Sequence, residues 1–116
     1  MAALANLAAV VVALAVLAIM ARRGNARFRE YTRLPMQWGF RGQVNWTAPR
    51  AVALSFIPVL AGAVLTSAFV GSLTFAPRKG QEDAVLPAFL ILGGMFVGIF
   101  ALHLRLIAWS LRRNGP

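Results

Sequence analysis

A chain of 116 residues has room for a single domain, and 59% of its residues are hydrophobic while only 13% are charged. These proportions exclude an ordinary water-soluble domain, because too few polar side chains are available to cover its surface. The net charge is +9 and there is no cysteine, so a disulfide framework, a thiolate metal site and a cysteine nucleophile are also excluded.

The first predicted element is an apolar run over residues 2–21, interrupted only by Asn6. About 20 helical residues span the hydrocarbon core of a bilayer, so this run predicts a transmembrane helix. A signal peptide is the competing interpretation. However, no basic residue precedes the run, and Arg22 and Arg23 stand where a cleavage site would be expected. We therefore expect a retained span.

The charged segment 22–33 leaves two interpretations open. Its bulky side chains recur at every third position, continuing into the next stretch: Phe28, Tyr31 and Leu34. This spacing favours a short amphipathic helix lying in the headgroup region. Gly24 and Asn25 favour a solvated linker instead.

The stretch 34–50, LPMQWGFRGQVNWTAPR, contains two of the three tryptophans, Trp38 and Trp46. Apolar and polar residues alternate on both sides of Arg41 and Gly42, and this period of two predicts a short antiparallel ribbon. Because tryptophan rings prefer the boundary between acyl chains and water, we expect the ribbon to lie on a membrane surface.

The second apolar run covers residues 51–76 and predicts a second span, longer than a perpendicular crossing needs. Thr47 is its expected N-cap, and Pro49 fits its first turn, where a missing N–H costs nothing. Ser67 and Gly71 lie four residues apart, and this spacing of small residues predicts a contact with another helix.

The polar segment 77–83 predicts a tight turn, with Asp83 as the cap of a third span over residues 84–104. Within that span, Gly94 and Gly98 form the G-x-x-x-G pattern that is typical of close helix contacts.

The arginines indicate an orientation. The connection 22–50 carries seven arginines and one glutamate, the second connection is neutral, and Arg105, Arg112 and Arg113 close the third span. Lys and Arg concentrate on the cytoplasmic side of membrane proteins. We therefore predict that the connection 22–50 and the C-terminus face the cytoplasm of a bacterial inner membrane, with the N-terminus outside. Because these arginines flank apolar runs, their predicted partner is a bilayer with anionic headgroups and not nucleic acid.

The stretch 34–50 resembles a bacterial membrane domain of unknown function that also forms the N-terminal module of immunity proteins against sporulation-delaying-type toxins. The residues that match the pattern of that family are Leu34, Pro35, Trp38, Gly42, Trp46 and Arg50. Gln37 stands where the family commonly has histidine, so no function that needs an imidazole at this position is implied. The resemblance implies a small helical membrane protein with a protective or accessory role and no established chemistry.

No arrangement of residues predicts catalysis, a metal site or a cofactor. His103 is the only histidine, and the three acids lie in predicted connections: Glu30, Glu82 and Asp83. A metal site needs several convergent ligands, and a transporter normally has ionisable residues within its spans. We interpret His103 as a packing or interfacial residue; a role in proton transfer or haem ligation would need a partner chain.

The sequence therefore predicts an all-α integral membrane protein, a single domain over residues 1–116 with three transmembrane helices and an interfacial aromatic loop between the first and second. We expect no enzyme activity and no cofactor. The predicted partners are the bilayer and another membrane protein, in an immunity-like or accessory role. The alternative is a structural subunit of a larger respiratory or photosynthetic membrane complex.

Overall fold

The computed structural model describes residues 2–38, 44–74 and 84–114, which form three long helices and one two-stranded ribbon. The elements in chain order are α1 (Ala2–Arg27), β1 (Arg33–Trp38), β2 (Val44–Pro49), α2 (Arg50–Thr74) and α3 (Val85–Asn114). Each helix is long enough and apolar enough to cross a membrane, as a multi-pass membrane protein requires. The prediction of three such helices is confirmed.

The first helix does not end where the apolar run ends. It continues through Arg27, and the Phe28 N–H still donates to the Gly24 carbonyl at 2.9 Å. Neither a separate headgroup helix nor a solvated linker therefore begins at residue 22. Glycine suits position 24 because a larger residue would be crowded there: a Cβ atom would lie only 3.3 Å from side-chain atoms of Leu54 and Leu104. Its missing side chain lets the other two helices approach the end of α1.

Contacts between the helices establish their directions. Gly24, near the end of α1, lies against Leu54 near the start of α2 and against Leu104 in the second half of α3. Closer to the start of α1, Ala13 lies against Gly93. Hence α1 runs antiparallel to α2 and parallel to α3. The C-terminal ends of α1 and α3 and the beginning of α2 meet at one end of the bundle, which we call the basic end.

The core is narrow. Leu17, Leu65 and Phe100, one from each helix, are completely buried at its centre. Many large apolar side chains face outward instead: Leu4 is 69% exposed, Val59 is 67% exposed and Ile91 is 65% exposed. Three helices can bury only the strip of each helix that faces the other two, so the remaining apolar surface stays uncovered within this chain.

Among the described residues, the small residues predicted to contact another helix meet none. A Cβ atom at Gly71, Gly94 or Gly98 would meet nothing within 4 Å, and Ser67 is exposed. The close approach of α1 and α3 instead uses Gly93, where a Cβ atom would lie 3.0 Å from the Cβ of Ala13. The predicted helix contacts of Ser67, Gly71, Gly94 and Gly98 stay a prediction.

The turn predicted at residues 77–83, with its Asp83 cap, lies outside the described residues. Pro87 occupies the first turn of α3, as expected of a residue that lacks a backbone donor.

Leucine at Gly93 or at Gly94 provides a matched test of this packing, because both changes alter helix propensity equally. We expect Gly93→Leu to lower the free energy of unfolding in detergent by about 1–3 kcal/mol, the usual cost of overpacking. Gly94→Leu, which points into open space, should change it by less than about 0.5 kcal/mol. Equal losses in denaturant unfolding of the two variants would contradict the observed helix contact.

Candidate functional site

The ribbon predicted from the period-two pattern is present at the basic end. Strands β1 and β2 pair antiparallel, with Arg33 opposite Pro49, Leu34 opposite Ala48, and Trp38 opposite Val44. The register shifts on both sides of Gln37, which pairs with Trp46. Such an irregularity increases the local twist of a ribbon and redirects its side chains. The two tryptophans consequently have different surroundings.

One face of the ribbon packs against the helix ends. Leu34 is completely buried and Ala48 is 1% exposed. They form a second small core with residues that follow α1 and with residues of α2 and α3: Phe28, Ala53, Leu54, Ile107 and Ala108. The ribbon is therefore a packed part of the fold, and its apolar contacts with the helices stabilise it in a way that an isolated two-stranded ribbon lacks.

Arg50, the first residue of α2, holds the chain segment that follows α1. Its Nε donates to the Asn25 Oδ1 at 2.8 Å, and its Nη1 donates to the carbonyl oxygens of Phe28, Arg29 and Tyr31. Its backbone N–H donates to the Thr32 carbonyl at 3.0 Å. The carbonyls after a helix C-terminus lack intrahelical donors, and a guanidinium group supplies several donors together with a favourable positive charge.

Arg33 ties the two strands together, and this contact overturns the predicted N-cap. The Arg33 Nε donates to the Thr47 hydroxyl at 3.0 Å, and its Nη2 donates to the Thr47 carbonyl at 2.8 Å. Thr47 thus lies in β2, opposite Pro35, and does not cap α2. Pro49 precedes α2 as the last residue of β2 and is exposed. The prediction failed because strand pairing extends to the residue before the helix.

Trp38 and Trp46 differ in exposure: Trp38 is partly buried and Trp46 is exposed. The Trp38 ring packs edge-on against the His103 ring of α3, with 5.8 Å between centroids. Trp46 is 54% exposed. The interpretation of His103 as a packing residue agrees with its contact. The Trp38 Nε1 and the His103 Nε2 are both buried without a hydrogen-bond partner in the described part of the chain.

A separate cavity of about 400 Å³ opens beside the ribbon end of the bundle. Its lining comes from the end of α1 and the last turns of α3: Arg27, Arg105, Leu106, Ala108, Trp109 and Arg112. The Arg27 guanidinium lies 5.4 Å above the Phe28 ring, and Arg113 lies 5.1 Å above the Trp109 ring. Within the described ranges, Arg105 and Arg112 have no hydrogen-bond or ion-pair partner.

The residues predicted from the motif are thus largely structural. Leu34 and Pro35 are buried, Trp38 packs on α3, and Arg50 supports the segment after α1. Gly42, like Arg41, lies outside the described residues. Sequence reasoning missed Asn25 as the partner of Arg50, and it missed the cavity. The spacing of Arg105, Trp109 and Arg112 by four and three residues could have indicated the α3 side of that cavity.

The side chains that line the cavity can contact an anion through their guanidinium groups and an apolar group through Leu106 and Trp109. Among residues 2–38, 44–74 and 84–114, no three of His, Asp and Glu lie close enough together to hold a metal ion. Comparison with protein-family models, with curated proteins and with solved structures found no match for this chain.

We expect Arg50→Gln to lower the free energy of unfolding by about 2 kcal/mol, because several carbonyls would lose a charged donor. Arg50→Lys should recover only part of this, since one ammonium group cannot replace the guanidinium fork. Arg29→Gln is the matched control, because it removes the same charge from a side chain that is exposed. Denaturant unfolding followed by tryptophan fluorescence measures all three. Equal effects of Arg50→Gln and Arg29→Gln would show that Arg50 contributes only its charge.

Proposed function

We propose that this chain is a small non-enzymatic protein of the bacterial inner membrane that acts through contacts with another membrane protein. Its three helices cross the bilayer, and its aromatic ribbon lies at the cytoplasmic surface.

The exposed apolar surface of the helices carries the proposal. The chain itself buries 17% of the most apolar stretch of α1, 28% of that of α2 and 17% of that of α3. Soluble monomers rarely expose continuous apolar patches above a few hundred Å². The long axis of the molecule measures 54 Å, which exceeds the roughly 30 Å hydrocarbon core, so both ends would reach the headgroup regions.

Three hydroxyl groups on α2 are also arranged as a lipid environment requires. The Ser55 hydroxyl donates to the Ala51 carbonyl at 2.6 Å, and the Ser72 hydroxyl donates to the Phe69 carbonyl at 2.6 Å. The Thr74 hydroxyl donates in the same way to Val70 at 2.9 Å. These hydroxyls need no water, because their own helix supplies the acceptors.

The arginines support the orientation. Nine described arginines lie in the elements that meet at the basic end: Arg22, Arg23, Arg27, Arg29, Arg33, Arg50, Arg105, Arg112 and Arg113. Since positive residues remain on the cytoplasmic side, the basic end faces the cytoplasm and the opposite end faces outward.

Engineered cysteines test this orientation, because the chain has none of its own. We expect Glu30→Cys, in the exposed turn before β1, to be protected in intact cells from a maleimide that cannot cross membranes. Ala84→Cys, exposed at the opposite end before α3, should be labelled. Both should remain in the membrane pellet after carbonate washing. The reverse labelling pattern would refute the orientation, and release by carbonate would refute the membrane location.

Contacts with another membrane protein are supported by the open glycine positions. Gly94 and Gly98 lie four residues apart, and a Cβ atom at either position would meet no atom of another described element within 4 Å, so a helix of another protein could approach the backbone of α3 closely. The resemblance of the stretch 34–50 favours an immunity-like or accessory role. The same open face fits a structural subunit of a larger respiratory or photosynthetic complex, which is the alternative.

Purification of the tagged chain from its native membranes separates these roles. Stoichiometric recovery with one large complex supports the subunit, whereas loss of toxin resistance on gene deletion supports immunity. We expect Gly94→Leu to reduce recovery of the partner, because leucine blocks close helix approach. Ala63→Leu, at an exposed position of α2, is the matched control and should leave recovery unchanged. Equal recovery with both variants would remove the glycine face from the proposal.

A further inference from the structure

The cavity at the basic end combines positive charge with apolar surface. Arg27 contributes from the last turn of α1, and Arg105 and Arg112 contribute from α3. Arg105, Trp109 and Arg112 are spaced so that they lie on one face of α3, next to α1. Three guanidinium groups thus line one opening of about 400 Å³.

Two of the three charges in this opening, those of Arg105 and Arg112, make no hydrogen bond or ion pair within the described part of the chain. Arg50 and Arg33 donate to carbonyl and hydroxyl oxygens of the chain, whereas Arg105 and Arg112 have no such partner among the described residues. Glu30 is the only acid in the described ranges, and it does not line the cavity. Several like charges at close range repel one another, and a bound anion would relieve this repulsion.

The apolar part of the cavity continues along the helix. Leu106 and Trp109 lie beside the arginines, and Leu102, one turn earlier on α3, is 58% exposed. Ile99 and Met95, another one and two turns back, are exposed as well. Exposed apolar side chains therefore recur at successive turns from the arginines toward the middle of α3, and we call them the apolar track.

The depth of the arginines matches the edge of a bilayer. Arg105 lies twenty residues after Val85, the first residue of α3. At 1.5 Å per residue this distance is about 30 Å, the thickness of the hydrocarbon core. When α3 spans the membrane, Arg105 consequently lies at the edge of the hydrocarbon core, and Arg112, about 10 Å further along the helix, lies among the headgroups. The exposed apolar side chains before Arg105 lie at the level of the acyl chains.

We propose that this cavity binds an anionic phospholipid, whose phosphate contacts Arg27, Arg105 and Arg112 while an acyl chain follows the exposed apolar face of α3. The inference rests on the proposed membrane location. A free phosphate ion would satisfy the guanidinium groups but would make no use of Trp109 and the apolar track. An acidic protein segment would use the charge alone. Only a lipid matches both parts in this order.

A basic residue near an anionic membrane surface contributes about fivefold to lipid affinity, so removal of two arginines should cost about 25-fold. The test uses the purified full chain in mild detergent, titrated with phosphatidylglycerol or phosphatidylcholine and followed by native mass spectrometry. We expect the wild type to prefer phosphatidylglycerol, and Arg105→Gln combined with Arg112→Gln to lose that preference. Added inorganic phosphate should not displace the bound lipid from the wild type.

Arg22→Gln combined with Arg29→Gln removes the same charge from exposed positions outside the cavity. This control should keep the preference within about twofold of the wild type, since its charges act only at long range. The double variant with lysine at positions 105 and 112 should retain most of the preference. Unfolding of each variant in the same detergent establishes that the fold is intact.

Several results would overturn the lipid site. One is equal binding of both lipids by the wild type, and another is an equal loss in the cavity variant and the control. Displacement by inorganic phosphate would indicate a site for the free ion. If the wild type shows no lipid preference and the cavity variant loses a co-purifying protein, the cavity accepts an acidic protein segment instead. Retention of all variants in carbonate-washed membranes distinguishes these failures from a failure of the membrane location.

Discussion

The hydrogen bonds of Arg50 are the interaction on which the arrangement of this chain depends. They join the start of α2 to Asn25, in the last turn of α1, and to the carbonyls of the segment that follows. The two helices are thereby fixed as neighbours at the basic end, and the ribbon between them must fold back over the helix ends. Leu34 and Ala48 then reach the second core, and Trp38 reaches His103. A side chain without several donors could not connect these points simultaneously.

The arginines of the basic end consequently serve two purposes. Arg50 and Arg33 satisfy oxygen atoms of the chain, and they do so where the helix end and the ribbon would otherwise leave acceptors unpaired. Arg105 and Arg112 satisfy none within the described residues and line a cavity with Trp109. A count of positive residues treats all of them alike, although Arg50 and Arg33 are already engaged by oxygen atoms of the chain.

The elements that the sequence predicts correctly are those with a regular spacing of apolar residues. The apolar runs predicted three helices, and alternation around residues 41–42 predicted the ribbon, because period and length depend mainly on the local chain. Helix ends were less predictable: α1 passes through Gly24 because Leu54 and Leu104, distant in sequence, fill the space beside it. The role of Thr47 failed for a similar reason, since Arg33 on the opposite strand engages its hydroxyl.

The same limit applies to the candidate site. Nothing in the spacing of Gly93, Gly94 and Gly98 indicates that only the first lies against α1, because this depends on the rotation of α3 in the bundle. Trp38 and Trp46 are equivalent in the motif, yet a register shift between them places one inside and one outside. The cavity requires Arg27 to lie beside α3, which follows from the parallel packing of two helices that are far apart in sequence.

The balance of charge at the basic end favours an external anion. Two helix C-termini and one N-terminus meet there, and each terminus carries about half an elementary charge, so the helix dipoles sum to about −0.5. Nine arginines and Glu30 in the described residues give nine minus one, or +8. The helix ends therefore neutralise only a small part of this charge, and the bonds of Arg50 and Arg33 to uncharged oxygens neutralise none. At the proposed membrane surface, lipid phosphates would supply the missing negative charge beside Arg105 and Arg112.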